Sequence, residues 1–512
     1  MRYLPIIGLE VHAQLKTESK MFCSCKNVGD AAEPNTAICP VCTGQPGALP
    51  ALNAKAIDLG VLTGLALECT IPDRSVFDRK NYFYPDLPKG YQISQFHLPV
   101  AINGHIDFDV PGGTPPRDRV HIGITRAHLE EDAAKNVHVG GDTDEHATYV
   151  DYNRASTPLL EIVSEPDLRT AQEAKAYLQE LRAILRTVGA SDADMEKGQM
   201  RCDANVSLLP VDDNNLPLQA EYNPKIEIKN LNSFRAVERA IIYEIGRQTE
   251  LYEAGSKPIG STRGWDEDKG KTFEQRTKET FADYRYFPEP DLPPQDLVDI
   301  REKMKAMLPE LPAKKRQRLM DEFWFSPSDV EFLVANGWAD YADHVMGELG
   351  AWLEATDRTG TSGGELLNDH KKKFAKLVGG WLTSKLAGIL TEKNITIADC
   401  KITPEDFAEF IHLLDAGEIN SANAQKLLLL MVETGNDPSH IMEEHNLGQN
   451  MPDHELEELI KTIVRENPDQ VAQVKAGKIG VLKWFVGATM KATEGKANPG
   501  KAEEIVKKEI GV

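Results

Sequence analysis

Three separated stretches of this chain alternate apolar and ionisable residues with a period of two. In IIGLEVHAQL, Ile7, Leu9, Val11, Ala13 and Leu15 fall on one side, and Glu10, His12 and Gln14 on the other. In MRCDANVSLL, Met200, Cys202, Ala204, Val206 and Leu208 oppose Arg201, Asp203, Asn205 and Ser207. In KIEIKNL, Ile226 and Ile228 oppose Lys225, Glu227 and Lys229. Successive side chains point to opposite faces of a strand, so each stretch predicts a strand with one buried face and one polar face. A fourth, VHIGITRAHLEED, alternates into Glu130, Glu131 and Asp132. No βαβ rhythm joins these strands, so the pattern predicts an α+β fold with a mostly antiparallel sheet.

Helices interrupt this β-rich part. Thr170 and Glu173 form a capping-box pattern, Ala174, Leu178, Leu181 and Leu185 recur at helical spacing, and Gly189 is a stop, which predicts a helix over 170–188. A second is expected near 233–254. The prolines of FPEPDLPP (288, 290, 293 and 294) mark a boundary. Beyond it the chain reads as helices. Its 512 residues suit about three domains. The expected division is 1–295 (β-rich), 296–405 (helical) and 406–512 (helical tail).

Net charge is −22, which excludes indiscriminate coating of nucleic acid and confines any RNA contact to a local basic patch. Such a patch exists at the end of the chain, where residues 471–512 carry 8 Lys against 4 acidic residues. Those lysines could grip phosphate or form a solvated helical face. No apolar run is long enough for a transmembrane helix. Glu10 and His12 interrupt what a signal peptide would need as its apolar core. A cytoplasmic or similarly reducing location is therefore expected, and 7 scattered cysteines do not form a disulfide framework. Four of them, Cys23, Cys25, Cys39 and Cys42, crowd into one stretch, FCSCKNVGDAAEPNTAICPVC. Two close thiol pairs in a reducing compartment predict a closed, structural Zn²⁺ site in loop 23–42. The alternative is four free thiols.

The polar strand faces are where chemistry could gather. If the strands share one sheet, Glu10, His12, Glu161, Asp203 and Asn205 could line one basin suited to a divalent cation, with Arg201 for phosphate. Carboxylates suit Mg²⁺, and an imidazole leaves Mn²⁺ open. The bland alternative is a sheet face that meets water. No Walker A motif or kinase-type glycine loop is present. The stretch FDRKNYFYPDLPKGYQISQ sets Tyr82, Phe83, Tyr84 and Tyr91 among Arg79, Lys80 and Lys89, which could stack a base and hold phosphate or pack a rigid loop.

Together these stretches are specific. IGLEVHAQLKTESKMFCSC, CPVCTGQPGALPALN, RKNYFYPDLPKGYQISQ, HLEEDAAK, DYNRASTPLLEIVSEPDL, MRCDANVSL, EIKNLNSFRAVERAI and DYRYFPEPDLPP resemble, in order, the GatB component of the bacterial-type aspartyl/glutamyl-tRNA amidotransferases (GatCAB). GWLTSKLAGIL and MKATEGKANP resemble that family's helical and YqeY-like tail domains. The resemblance implies a β cradle that holds the acylated 3′ end of Glu-tRNA(Gln) or Asp-tRNA(Asn). It implies ATP-dependent phosphorylation of the side-chain carboxylate. It also implies attack by ammonia from the amidase GatA, in a heterotrimer completed by the small GatC. It makes Glu10 and His12 metal or nucleotide residues, and Glu130, Glu131 and Glu161 Mg²⁺ ligands. Glu130 and Glu131 alternate, so one of the two is expected to dominate. It makes Arg201, Asp203 and Asn205 phosphate, metal and positioning groups. Lys80, Tyr84 and Lys89 become pocket lining, Arg285 a phosphate contact, and Lys483, Lys491, Lys496 and Lys501 tRNA contacts. One departure is Gln199 where many relatives have Ser. Two rivals remain. The archaeal-type GatE carries an inserted domain for which there is no room after residue 287. A zinc-stapled tRNA-binding scaffold would bind RNA without turning over ATP.

Overall fold

The clean apolar stripe of the first alternating stretch becomes the floor of the fold. In the computed structural model, which describes residues 2–29, 32–110, 118–139, 147–277, 283–356, 363–448, 451–493 and 496–511, Ile7, Leu9, Val11 and Ala13 are fully buried. They lie on β1 (Arg2–Gln14), near the middle of an eight-stranded sheet. The other strands are β2 (Arg74–Asn81), β3 (Tyr91–Leu98), β4 (Ala101–Asp109), β5 (Arg119–Glu131), β6 (Lys135–Val139), β7 (Ala147–Asp151), β8 (Pro158–Ser164), β9 (Met200–Val211), β10 (Ile226–Leu231), β11 (Ser261–Asp266) and β12 (Lys271–Thr277). The large sheet has the order β12-β11-β10-β9-β1-β8-β5-β4. Its neighbours are antiparallel except β10 and β11. β2 and β3 pair in a small separate sheet, and β6 pairs with β7. The expected α+β class with a mostly antiparallel sheet is what forms.

One face of the large sheet is covered by α1 (Ala54–Ala66), α2 (Ala171–Thr187) and α3 (Phe234–Glu253). Leu178, Leu181 and Leu185 of α2 and Val237 and Ile241 of α3 join the strands' apolar residues in one core. Burying each such side chain contributes about 1.5–3 kcal/mol. Thr170 caps α2, accepting from the Glu173 N–H at 3.0 Å, while Glu173 reaches back to the Arg169 N–H at 2.8 Å. Gly189 ends the helix at φ +68, a conformation that only glycine adopts cheaply. Replacing Thr170→Ala strands a helix N–H and is expected to lower stability by about 1 kcal/mol, read as a shift in the denaturant midpoint.

The chain forms two compact units, Met1–Ala313 and Lys314–Val512. The proline-rich stretch is not a loose linker. Glu289, buried within it, takes a two-pronged bond from Arg79 of β2 at 2.6 and 2.7 Å. Phe287–Pro288 and Gln295–Asp296 add to the edge of β2. Helix α4 (Val298–Ala306) then packs on α1, with Leu297 and Met304 in the first unit's core. The first unit thus runs past residue 295 because apolar residues beyond the prolines still have a surface to cover.

The second unit is helical and holds two cores. One gathers residues from Leu319 to Leu447, and the other from Leu456 to Ile510. Ile402, Phe407 and Phe410 share the first of these, so packing divides after Leu447 rather than at 405. Among the described residues no helix is long and apolar enough to cross a membrane.

Candidate active site

The face of the large sheet opposite α1, α2 and α3 collects the ionisable halves of the alternating strands. Register sets Glu10 opposite Asp203 and His12 opposite Arg201 on β9. It sets His12 opposite Glu161 on β8, and Glu161 opposite His128 on β5. The shared basin expected from sequence therefore rests on adjacent strands.

At its centre one carboxylate oxygen is shared by two imidazoles. Glu161 Oε2 lies 3.2 Å from His12 Nε2 and 3.0 Å from His128 Nε2. Glu130 Oε1 is 3.4 Å from His12 Nε2, and Ser94 Oγ donates to Glu130 Oε2 at 3.4 Å. Burial alone would push His12 down, but Glu161, Glu130 and Asp203 raise its pKa to about 9. Burial works against an ionised Glu161, yet His128 and His12 hold it well below the usual carboxylate range. Glu130 is pushed up, by burial first and by Glu161 second. Lys80 stays charged despite its burial because Glu130, Tyr286 and Glu161 face it, and its ammonium lies 5.0 Å from the Tyr284 ring centroid. Ligand atoms of His12, Glu130 and Glu161 lie within 4.8 Å of one another. Two carboxylate oxygens and one imidazole suit a divalent cation of the Mg²⁺ or Mn²⁺ kind.

The basin continues toward β10. Asn205 Nδ2 donates to Glu10 at 2.9 Å, and Lys229 bridges Asp203 at 2.5 Å and Glu227 at 3.1 Å. Arg201 donates to Asp132 at 2.9 Å. A cavity of about 280 Å³ borders this end, lined by Gly8, Glu10, Pro166, Asn205, Tyr222 and Lys225 among others. The arrangement alternates fixed cations and carboxylates in a cleft, which is what charge stabilisation of a phosphoryl group needs.

Several expected residues stand apart from this cluster. Glu131 points to the opposite side of β5 from Glu130, where it is ion-paired with Lys89 and accepts from the Ile93 N–H at 2.9 Å. Lys89 is thereby committed to Glu131. Tyr84 is 64% exposed in the loop after β2. Arg285 is exposed, at φ +44, with its carbonyl held by Asn81.

The four thiols of loop 23–42 do converge, with ligand sulfurs within 4.8 Å of one another. The Cys39 N–H points at Cys42 Sγ at 3.2 Å. A hydrogen bond from Cys23 first, then the Cys39 N–H and Lys20, lower the Cys42 thiol to about 4 against its burial. Four converging soft sulfurs fit tetrahedral Zn²⁺. The loop is tied to the segment before β8: Ala37 N–H donates to Asn153 at 2.9 Å, and the Asn153 amide donates to the Glu33 carbonyl.

The family model of the GatB/GatE catalytic domain matches residues 5–303, and that of the GatB domain matches residues 365–510. The chain belongs to the GatB/GatE family. Its similarity to curated proteins runs end to end. It is 44% identical to the B subunit of the aspartyl/glutamyl-tRNA(Asn/Gln) amidotransferase of Persephonella marina, over 99% of both chains. It is 43% identical to proteins of the same name from Solidesulfovibrio magneticus, over the whole of both, and Thermotoga neapolitana, over 99% of both. The family expected from the motifs is the family found.

In this GatB/GatE chain, sequence reasoning missed three residues of the cluster. His128 shares a face with Glu130 by the same i, i+2 rule that paired Glu10 with His12. Glu227 and Lys229 were visible as the polar side of KIEIKNL, but nothing in the sequence places β10 beside β9. In the second unit, Lys483 and Lys491 are exposed on one helix (Leu482–Ala492), Lys496 is half-buried, and Lys501 pairs with Asp453 at 2.8 Å.

Proposed function

We infer that this chain is the GatB component of a tRNA-dependent amidotransferase. It would convert the side-chain carboxylate of Glu-tRNA(Gln), Asp-tRNA(Asn) or both into the amide. The observation that carries the reading is the Glu161 oxygen shared by His12 and His128 beside Glu130, on the same face as Arg201, Asp203 and Lys229. End-to-end likeness to proteins of that name supports it.

A carboxylate is a poor electrophile, so the reaction needs a leaving group. ATP supplies one as an acyl phosphate. His12, Glu130 and Glu161 would hold a divalent cation, which would neutralise phosphate charge when bound. Arg201 and Lys229 would meet phosphoryl oxygens once they exchange Asp132 and Asp203 for substrate. Asn205 holds Glu10 at the border of the cavity. Lys80, walled by Tyr82, Tyr284 and Tyr286, offers a fixed positive charge behind Glu130. Ammonia would come from the glutamine-hydrolysing amidase GatA, held together with the small GatC. The four cysteines would bind Zn²⁺ and shape their loop without touching the bond that forms. Of Lys483, Lys491, Lys496 and Lys501, the first two stand exposed on one helix and would be available to tRNA phosphates.

The test is reconstitution with purified GatA and GatC and assay with both mischarged tRNAs in parallel. Amidated tRNA formed only with ATP is the expected result. Tight tRNA binding without ATP turnover would return the chain to the scaffold reading. Within this scheme, Lys229→Met removes one charged hydrogen bond and is expected to lower kcat/KM for ATP about 10- to 100-fold.

A further inference from the structure

A second group of metal-ligating side chains sits on the same polar face, at the far end of β5. His105 and Asp107 stand two apart on β4, and register sets Asp107 opposite His121 of β5. His121 Nδ1 lies 2.7 Å from Asp107 Oδ1. His105 Nε2 lies 3.8 Å from Asp107 Oδ2 and 3.5 Å from Glu68 Oε2. The two imidazole rings are 4.6 Å apart. One ligand atom from each of His105, Asp107 and His121 falls within 4.8 Å of the other two. Glu130 is nine residues further along β5, about 30 Å of strand, so this group is separate from the active-site cluster.

The backbone beneath the group is fixed from three directions. Glu68 lies in the turn after α1 at φ +53, and the His105 N–H donates to the Leu67 carbonyl at 2.9 Å. Thr70 and Ile102 exchange two backbone hydrogen bonds at 2.7 and 3.0 Å. A Cβ at Gly104 would collide with Cys69 Sγ and the Leu67 carbonyl, so β4 approaches the turn closely where it carries no side chain. Opposite His105, the Gly123 N–H is held by the Asp167 carboxylate at 3.1 Å, and Glu165 covers the same glycine. Asp109 and Arg119 pair one step along, at 3.7 Å. Carboxylates therefore outnumber cations around the two imidazoles.

We propose that His105 Nε2, His121 Nδ1 and the Asp107 carboxylate, with Glu68 as a fourth ligand, form a surface site for a divalent transition-metal ion of the zinc class. His121 Nδ1 stands 2.7 Å from Asp107 Oδ1, and His105 Nε2 stands 3.8 Å from Asp107 Oδ2 and 3.5 Å from Glu68. These bracket the roughly 3.4 Å between donors of a tetrahedral ion with bonds near 2.1 Å, and Glu68 closes the set from the His105 side. Imidazole nitrogen selects Zn²⁺, Ni²⁺ or Cu²⁺ over Mg²⁺ and Ca²⁺. An ion bound at His121 Nδ1 takes the imidazole with its proton on Nε2, and the hydrogen bond to Asp107 gives way to shared coordination. The ion would pin the β4–β5 hairpin to the turn after α1, away from the reaction.

The test uses the full chain with its four clustered thiols already loaded with zinc. Calorimetric titration of the parent with Zn²⁺ is compared with His105→Gln/His121→Gln. The expected result is one binding event in the parent that weakens at least about tenfold in the double variant. Zn²⁺ should raise the melting temperature of the parent but not of that variant. Mg²⁺ at the same concentration should do neither. Identical Zn²⁺ titrations in parent and variant, or equal competition by Mg²⁺, would overturn the site. Glu68→Gln, at an exposed turn, is the second variant: it should fold normally and weaken Zn²⁺ only several-fold, and an unchanged affinity there removes Glu68 from the ligand set.

Discussion

Glu161→Gln, assembled with GatA and GatC, should lose amidation by about 10²–10³-fold, the range for removing one charge-stabilising group from an enclosed site. The amide keeps the size of the carboxylate, so packing around β8 is preserved. What changes is charge. Glu161 Oε2 now accepts from both His12 and His128; an amide oxygen in its place could still accept from both, but it carries no negative charge. The site then keeps Glu130 as its one central carboxylate and loses affinity for a dication. The measurement is amidated tRNA per unit time, with ATP turnover followed in parallel and a thermal melt of the variant. Activity within about twofold of the parent, in a protein that melts normally, would detach the chemistry from this cluster. His12→Ala should fail in the same assay.

Cys42→Ser should remove about one tightly held zinc ion per chain, because a serine hydroxyl is a hard, protonated and poor ligand in a tetrahedral thiolate set. Cys42 is buried and its Sγ faces the Cys39 N–H at 3.2 Å, so the substitution removes a sulfur with a fixed place in the set. Without the ion, the far part of this segment, around Glu33–Ala37, is held mainly by its bonds to Val150–Asn153. Protease cleavage in that segment should therefore become fast, and strong chelation of the parent should reproduce it. Amidation should fall less than in Glu161→Gln, since none of the four sulfurs belongs to the shared-oxygen cluster. A variant with the same zinc content as the parent would mean that these thiols do not hold the ion.

The strands were legible because alternation is a local signal. Glu10 with His12, and Arg201 with Asp203 and Asn205, could be paired on a face from spacing alone, and the sheet places them as spaced. Spacing also separates Glu130 from Glu131, yet it cannot say which is inward. That is decided by β8 on one side of β5 and by Lys89 with Ile93 on the other. His128 was overlooked because it sits where β5 becomes buried on both faces, and the pattern blurs there. Lys229 joins Asp203 only through the pairing of β10 with β9, a contact between segments 26 residues apart that no local rule predicts. The prolines of 288–294 read as a boundary for a sound local reason. Arg79, more than two hundred residues earlier, turns them into part of the first unit by engaging Glu289.

The two-sided construction of β1 also limits how this gene can drift in length. Leu9 and Val11 are fully buried, while Glu10 and His12 face the cleft. Inserting a single codon before Glu10 would turn both ionisable groups into the apolar layer and push the aliphatic ones into water, inverting every position downstream to the strand's end. Insertions or deletions in β1 are tolerable only in pairs or beyond its ends, whereas the turns between strands can lengthen freely.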